Sequence, residues 1–543
     1  MVYEIARYAF INDEGAAIDL DGEGTIVGDD IIFGKRDQTT YTNVLSASYI
    51  FTNRMGLTLR ARHYWSKVDY RTFHVLNEVG HLTASTYDGS DADGLSLHNT
   101  NFKKQRRKEM LNGQRPSECD FCWRVEDNGE KSDRVFKSLD SYSFKHHDKI
   151  AKLDGDEDIF PTYVEVSFGR TCNFKCAYCG PAYSSQWYQE IKQHGPYDLE
   201  EMKFNLAKHS EAHIPQREHN PYIEAFWKWF PEAYKHMHTF RITGGEPLLI
   251  KDTMKVIDFL LENPNPKLSF AINSNACPPD GVWEDFTAKI KQLEEGKCVK
   301  DFVLFTSAES YGDRNDYVRY GMDYKKWQHN IEYFLRNTDG AGVTCMSAFN
   351  LLSITSFKEL LQWILKLKQD FNYTGWDKWL IEKGFDRPAI NSRANTMDKR
   401  HNEKFNKRNR VLIDIPYLRH PSFLDANIAS PELIEKYLIP AIDFMYTNVT
   451  HGDWFGNLGF DDWEALKMRR NVLDIINKSV QHVDNSHLTT DLNVRKDRGR
   501  FYNFINEYDK RRNTNFLYTF PEYAEFYKLC KREHEIYNEN KTR

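Results

Sequence analysis

The sequence predicts an α/β protein in which a core of strands and helices follows an antiparallel β segment and precedes a helical region. Two patterns predict this fold class. Residues 41–76 alternate apolar and polar side chains with a period of two, which is typical of strands with one buried face. From about residue 156, short runs rich in β-branched and aromatic residues alternate with longer helical stretches, as in a sheet whose strands are joined by helices.

The antiparallel segment comes first along the chain. Asn53-Arg54-Met55-Gly56 has the composition of a hairpin turn, and Ser66-Lys67 lies where a second hairpin would close. We therefore expect two or three strands that follow one another directly.

The core and the C-terminal region follow. Six runs are predicted to be core strands: residues 163–168, 239–243, 267–273, 301–307, 343–349 and 411–417. After about residue 420 the sequence is rich in Tyr, Lys, Asp and Asn and is predicted to be helical. The predicted division is therefore a β segment at 1–95, an accessory region at 96–155, the core at 156–420 and a helical region at 421–543.

Composition limits the partners and the compartment. A chain of 543 residues is too long for one compact core, so we expect two to four structural units. The net charge is −6, from 73 basic and 79 acidic residues, which gives no overall attraction to nucleic acid or to an anionic membrane. Without a recognisable export signal or an apolar run of membrane-spanning length, the sequence predicts a cytoplasmic protein.

Residues 172–179 contain three cysteines, Cys172, Cys176 and Cys179, at C-x3-C-x2-C spacing after a predicted strand. Three thiolates on one short loop can bind three irons of a cubic [4Fe-4S] cluster and leave the fourth iron open to a small molecule. Two alternatives stay open: three unrelated buried cysteines, or a zinc loop that lacks its fourth ligand.

A second motif is a glycine pair with a carboxylate, Gly244-Gly245-Glu246-Pro247, at the end of a β-branched run. Glycines let a ligand approach the backbone closely, and a glutamate can accept hydrogen bonds from an ammonium group. Alone, this motif is equally an ordinary turn between a strand and a helix. Its position some seventy residues after the cysteines favours a shared site.

Together the three cysteines, the aromatic Tyr178 and the Gly-Gly-Glu-Pro run resemble the radical S-adenosylmethionine (radical SAM) superfamily. About half of the chain, residues 98–370, resembles twitch domain-containing radical SAM proteins of the kind found in phage genomes. The matching runs are residues 116–123, 163–168, 226–229 and 240–249. This resemblance implies that the core is a partial (β/α)6 barrel of TIM type, with its site at the C-terminal ends of the strands.

The resemblance also implies an enzyme with two cofactors, a [4Fe-4S] cluster and S-adenosylmethionine (SAM). Gly244, Gly245 and Glu246 would hold the amine of SAM, with Pro247 and Tyr178 beside them. We assign the ribose and carboxylate of SAM to Ser274, Ser307 and Arg319, because hydroxyls match ribose oxygens and a guanidinium matches a carboxylate.

The implied reaction is reductive cleavage of SAM to a 5′-deoxyadenosyl radical that takes hydrogen from an unidentified peptide or small-molecule substrate. A low-potential donor such as a flavodoxin or ferredoxin would supply the electron. The alternative is a noncatalytic iron-sulfur or metal-binding adaptor, or a degenerate fusion protein that keeps the loop without turnover.

Residues 1–93 carry a separate resemblance. The run at 49–65 is similar to C-terminal barrel strands of a family of bacterial outer-membrane proteins of unknown function. Such strands need many neighbours to close a barrel. We therefore hypothesise that this segment is a foreign fragment joined by fusion. The alternative is a small β domain that acts as an adaptor.

Several weaker signals complete the sequence analysis. Cys119 and Cys122 have the C-x2-C spacing of ligands for a second iron-sulfur cluster or a zinc ion, although two ligands are too few and a vacant pair stays open. The basic run at 103–108 is predicted to be a solvated helix face, with nucleic-acid contact as the alternative. The aromatic run at 226–230 and Cys345 are predicted to pack in the core.

Overall fold

The computed structural model of the chain describes residues 2–10, 32–52, 55–76, 82–84, 99, 101–127, 129, 131–139, 141–199, 220–372, 410–418, 420–449, 459–473 and 492–542. Up to residue 84 it describes the backbone of the strands. Within these ranges the protein is a mixed α/β structure with a parallel sheet and many helices, which confirms the predicted fold class at that level.

The bounds of the elements are as follows. The strands are β1 Val2–Phe10, β2 Ile32–Thr52, β3 Met55–Leu76, β4 Leu82–Ala84, β5 Tyr163–Ser167, β6 Lys175–Cys176, β7 Thr239–Thr243, β8 Asn265–Asn273, β9 Val299–Ser307, β10 Arg319–Tyr320, β11 Gly342–Met346 and β12 Val411–Asp414. The helices are α1 Asn101–Leu111, α2 Asp120–Asp127, α3 Asp133–Leu139, α4 Ser141–Phe144, α5 His147–Ile150, α6 Ser185–His194, α7 Pro221–Ala233, α8 Lys251–Glu262, α9 Val282–Glu295, α10 Asp313–Val318, α11 Tyr324–Asn337, α12 Phe357–Phe371, α13 Pro431–Leu433, α14 Ile439–Thr447, α15 Asp462–Met468, α16 Leu492–Arg512, α17 Phe516–Thr519 and α18 Ala524–Thr542.

The chain forms two compact units. The first contains residues 1–161 and 220–236, and the second contains residues 162–219 and 237–543. No helix in the part of the chain that the structure describes is long and apolar enough to cross a membrane. The four-segment division of the sequence stays a prediction.

In the first unit, β1 to β4 form an antiparallel sheet in chain order. The pairing of β2 with β3 runs from Ile32 opposite Val75 to Thr52 opposite Met55. The predicted second hairpin at Ser66 and Lys67 is wrong, because β3 continues through both residues. No glycine or proline interrupts the alternation there, so the strand extends. Asn53 and Arg54 lie outside the described residues.

The basic helix α1 of the same unit contacts an acidic loop. Lys104 pairs with Asp158 and Lys108 with Asp156, both at 2.7 Å. Arg107 donates to the carbonyl of Glu157 at 3.1 Å. The prediction that residues 103–108 form a solvated face is therefore wrong for part of the run. The charges of Lys104 and Lys108 are matched within the chain, which the sequence alone does not reveal because their partners lie about fifty residues away.

The second unit is built on a parallel sheet of six strands in the order β12-β11-β9-β8-β7-β5. All six overlap predicted strands. β8 and β9 begin two residues earlier than expected, at Asn265 and Val299, and β11 and β12 end three residues earlier than expected, at Met346 and Asp414. Beyond them the pairing is reduced to an isolated bridge between Phe349 and Tyr417. Pro416, which has no N–H to donate to a ladder, precedes that bridge.

Aromatic side chains hold the helices against this sheet. Phe302 of β9 lies 5.4 Å from Phe270 of β8, 6.0 Å from Phe286 of α9 and 6.1 Å from Phe334 of α11, measured between ring centroids. All four rings are almost fully buried. Large buried rings contribute much of the apolar area that stabilises a core, and here they fix the strands whose ends carry the site. Cys345 in β11 of the same sheet is also buried. In the first unit, Phe226, Trp229 and Phe230 of the aromatic run are buried, so both predictions of core packing are confirmed.

A buried ion pair joins α12 to α15. Lys368 Nζ lies 2.9 Å from Glu464 Oε2, and both side chains are fully buried. Replacing Lys368 by methionine should lower the free energy of unfolding by about 3–5 kcal/mol, because it leaves the Glu464 carboxylate buried without its partner. Urea unfolding measures this loss.

The matched control is Lys326→Met, which removes a lysine from an exposed pair with Asp280. That variant should lose at most about 1 kcal/mol. Adding Glu464→Gln to the Lys368→Met chain should recover part of the stability. Equal losses in the two lysine variants would contradict the prediction.

Candidate active site

The three cysteines lie on a loop that leaves the C-terminal end of β5. Within this cysteine loop, residues 170–184, the backbone at Lys175 and Cys176 forms the short strand β6, which pairs antiparallel with β10 so that Cys176 lies opposite Arg319. The first residue of α6, Ser185, accepts from the Cys172 N–H at 3.1 Å. The pairing with β10 and the hydrogen bond to α6 thus fix the loop without a bound ligand.

The thiols are held in a desolvated setting. Burial raises the pKa of Cys172 to about 12, and burial also raises the pKa of Cys176 well above its usual range. The N–H of Phe174 points to Cys172 Sγ at 3.4 Å, and Arg319 Nη1 lies 3.8 Å from Cys176 Sγ. A metal that binds thiolates displaces their protons, and donors of this kind then stabilise the negative sulfurs.

This donor set fits a [4Fe-4S] cluster. A [4Fe-4S] cluster with one open iron is bound by one thiolate at each of its other three irons, and hydrogen-bond donors lie close to the sulfurs. Three thiols on one loop with N–H and guanidinium donors are what a cluster needs.

The glycine pair packs directly on the chain that enters the cysteine loop. The Gly245 N–H donates to Gly169 O at 3.0 Å, and the Glu246 N–H donates to Thr171 O at 2.7 Å. A Cβ atom on Gly245 would lie 2.4 Å from Thr171 O, and one on Gly244, at φ +119°, would lie 2.5 Å from Ser167 Oγ. The glycines are therefore required by the close approach of the backbone of residues 169–171.

Glu246 is fully buried and links this turn to the end of β8. Its carboxylate accepts from the Asn275 N–H at 2.6 Å, the Ser274 hydroxyl at 2.8 Å and the Leu248 N–H at 3.0 Å. Burial raises its pKa to about 7 despite these three donors. The carboxylate therefore joins the ends of β7 and β8 through bonds within the chain, and an ammonium group would be an additional donor.

The aromatic and basic residues of the predicted site form one buried network. Arg319 donates to Glu309 through Nε at 2.7 Å and Nη2 at 2.9 Å, and Nη2 also contacts the Tyr178 hydroxyl. That hydroxyl donates to Glu309 at 2.8 Å. Burial raises the pKa of Tyr178 well above its usual range, so the phenol keeps its proton. A bidentate Arg–Glu pair is a rigid arrangement, and here it fixes a guanidinium beside Cys176.

The remaining predicted residues lie at neighbouring strand ends. Ser274 is 5% exposed, and its hydroxyl is bonded to Glu246. Ser307 is half-buried at the end of β9, where it pairs with Met346. Pro247 is buried and begins a short 3-10 turn. The structure therefore brings Cys172, Cys176, Cys179, Tyr178, Glu246, Ser274 and Arg319 to one region, linked by contacts, with Ser307 two residues from Glu309.

One face of the parallel sheet is polar near this region. Arg241 of β7 donates to Asn273 of β8 at 2.7 Å, stacks on Phe305 of β9 at 4.1 Å and lies 4.0 Å from Glu165 of β5. Charged and amide side chains are rare on a sheet face that is packed as core. This part of the sheet is therefore not packed as an apolar core.

Sequence reasoning missed several residues that contact the cysteine loop. Glu309 lies only two residues after Ser307, and its position beyond a strand end was an available signal. Trp187 donates to the carbonyl of Cys176 at 2.8 Å, and Arg512 donates to the carbonyl of Lys175 at 2.8 Å. Neither Trp187 nor Arg512 belongs to a recognisable sequence motif, and Arg512 is 337 residues from Lys175 in the chain.

The pair Cys119 and Cys122 belongs to the first unit. Cys119 ends a 3-10 turn and Cys122 lies in α2. Burial, with a smaller contribution from the charge of Cys122, raises the pKa of Cys119. The second cluster or zinc site stays a prediction.

Comparison with known proteins agrees with this geometry. Residues 166–364 match the family model of the radical SAM superfamily, and residues 1–105 match a model described as a domain of unknown function, DUF5916. No curated protein matches the chain. The resemblance to the radical SAM superfamily is confirmed over the matched residues.

Among solved structures, about half of the chain is similar to SuiB from Streptococcus suis. The structure of SuiB bound to S-adenosylmethionine is 14% identical, with 55% of this chain and 58% of that chain covered and a TM-score of 0.25. SuiB bound to the precursor peptide SuiA is 16% identical with the same coverage and a TM-score of 0.25. The chain thus spans less than two thirds of the length of SuiB.

The family model over residues 166–364 gives the class of protein. Residues 166–364 are therefore a domain of the radical SAM superfamily type.

Proposed function

We propose that the protein is a radical SAM enzyme in which Cys172, Cys176 and Cys179 hold a [4Fe-4S] cluster. The observation that supports this best is the half-buried cysteine loop, which both the Gly-Gly-Glu-Pro turn and Arg319 contact. A cluster held there would pass one electron from an external donor to SAM, whose C5′–S bond would then break to give methionine and a 5′-deoxyadenosyl radical able to abstract hydrogen from substrate.

The residues of this chain would bind and orient SAM. The turn at Gly244, Gly245 and Glu246 presents a buried acceptor to the amine, and Ser307 offers a hydroxyl at the neighbouring strand end. Arg319, held by Glu309, keeps a positive charge where the SAM carboxylate and the Cys176 thiolate would both need one. Ser274 would act through Glu246, since its hydroxyl donates to that carboxylate.

The finer parts of the proposal concern the fold and the partners. We propose a partial (β/α)6 barrel for the core, an unidentified peptide or small-molecule substrate on the polar face around Arg241, and a low-potential flavodoxin or ferredoxin as electron donor. We also propose that the first ninety-odd residues are a foreign or adaptor segment and that the enzyme acts in the cytoplasm.

Reconstitution tests the proposed chemistry. The intact chain, loaded anaerobically with iron and sulfide and given dithionite and SAM, should form 5′-deoxyadenosine in amounts above one equivalent per chain. Liquid chromatography quantifies the product against a Cys172/Cys176/Cys179→Ala control, which should form none. A chain with a well-formed cluster and no product would instead support the noncatalytic adaptor or degenerate fusion.

A further inference from the structure

A buried ion-pair network outside the predicted site residues connects the C-terminal region to α6. Arg512, the last residue of α16, is 4% exposed and donates to Glu190 through Nε at 3.0 Å and Nη2 at 3.2 Å. Lys175 and Tyr197 donate to the same carboxylate at 2.6 and 2.8 Å. Burial alone raises the pKa of Glu190, but Arg512 and the other donors lower it to about 2, so the carboxylate stays ionised.

The same guanidinium reaches the backbone of the cysteine loop. Arg512 Nη1 donates at 2.8 Å to the carbonyl of Lys175, which forms the peptide bond to Cys176. The guanidinium carbon also lies 4.5 Å from the ring of Trp187, whose Nε1 donates to the carbonyl of Cys176. Both carbonyls that flank the Cys176 Cα are therefore bonded by side chains of this network.

We propose that Arg512 is a positioning residue for Cys176, so that the helical C-terminal region is part of the cluster-binding site. The proposal rests on the proposed function, because it concerns how one ligand of the cluster is held. In this proposal α16 does more than cover the core, because its last residue also bonds the backbone of the cysteine loop.

Other contacts already dock the C-terminal region without the help of Arg512. Glu522 accepts two hydrogen bonds from Arg314, at 2.8 and 3.1 Å, and Tyr523 donates to the carbonyl of Leu351. None of these residues contacts the cysteine loop in the hydrogen bonds of the described region. Docking and loop positioning are thus separable by mutation.

The first test uses the metal-free chain, so its outcome does not depend on a cluster. Arg512→Gln should raise the rate at which iodoacetamide alkylates Cys176 about tenfold. The lost buried hydrogen bond from a charged donor should raise the population of the open loop by about that factor. Mass spectrometry of the Cys176 peptide measures the rate. Arg512→Lys should restore part of the protection, because the lysine keeps a positive charge beside the Glu190 carboxylate.

The second test uses the reconstituted chain. Arg512→Gln should release iron to a chelator about tenfold faster than the wild type, in keeping with the effect of outer-shell partners on metal affinity. The control is Glu522→Gln, which breaks a docking pair and should change both rates less than about twofold. Circular dichroism checks that each variant folds, and Glu190→Gln, which breaks the same network from α6, should reproduce the faster alkylation.

The outcomes separate the two proposals. Wild-type rates in Arg512→Gln, or equal increases in Glu522→Gln, would overturn the positioning role. A wild-type chain that forms no cluster would overturn the proposed function, while the alkylation rates of the metal-free chain still decide whether Arg512 positions Cys176.

Discussion

Replacing Cys176 by alanine is expected to abolish the cluster and to lower 5′-deoxyadenosine formation by at least about 100-fold, more than the loss of an outer-shell partner costs. The effect is large because Cys176 is the central thiol of the loop, held by β6 and placed next to the guanidinium of Arg319. The measurements are iron content per chain, the electron paramagnetic resonance spectrum of the reduced protein, and product formation.

The matched control is Cys345→Ala, the same substitution at a buried cysteine of the six-stranded parallel sheet. It removes a similar volume without removing a proposed ligand, so it should cost stability but keep iron and product. A Cys176→Ala chain with full iron content and an unchanged spectrum would refute the ligand assignment.

Replacing Gly245 by alanine should also prevent cluster assembly. The added Cβ would lie 2.4 Å from Thr171 O and 2.6 Å from Arg170 C, both backbone atoms that cannot rotate away. Overpacking of this kind costs about 1–3 kcal/mol, and the backbone that must shift leads directly to Cys172. We expect at least about a tenfold loss of iron affinity from that displacement, measured by titration of the metal-free chain.

The control is Gly342→Ala in β11, which tests whether adding a methyl group at another glycine also weakens iron binding. A Cβ there would have its nearest neighbour at 3.5 Å, an ordinary contact. That variant should bind iron like the wild type. If Gly245→Ala bound iron equally well, the close packing of the turn on the cysteine loop would have no bearing on the cluster.

The motifs were predictable because their chemistry depends on short spacing. The cysteines lie within eight residues, and the Gly-Gly-Glu-Pro run follows a strand that periodicity identifies. The order of strands in the sheet and the role of Gly245 against Thr171 depend on how distant segments meet. Sequence reasoning assigned open space for a ligand to the glycines, and the structure places the chain's own backbone there.

Buried charges were the hardest part of the site to predict. Glu309, Glu190 and Arg512 look like ordinary polar residues of a strand end and two helices, since a charge is expected at the surface unless it is paired. Their partners are distant in the chain or belong to a different element, so no local pattern reveals them. For the same reason the basic run of α1 was predicted to be solvated, although Asp156 and Asp158 pair with it.

The contact between Arg512 and Lys175 has a consequence for the biosynthesis of the protein. The two residues are 337 positions apart, so at about 5–20 residues per second the ribosome needs on the order of 20–70 s to make Arg512 after the cysteines have appeared. During that interval the cysteine loop exists without the guanidinium that bonds the carbonyl of Lys175. Iron and sulfide delivered early would meet an unfinished loop, and a cell that makes this protein has reason to protect the nascent thiols or to load the metal after synthesis.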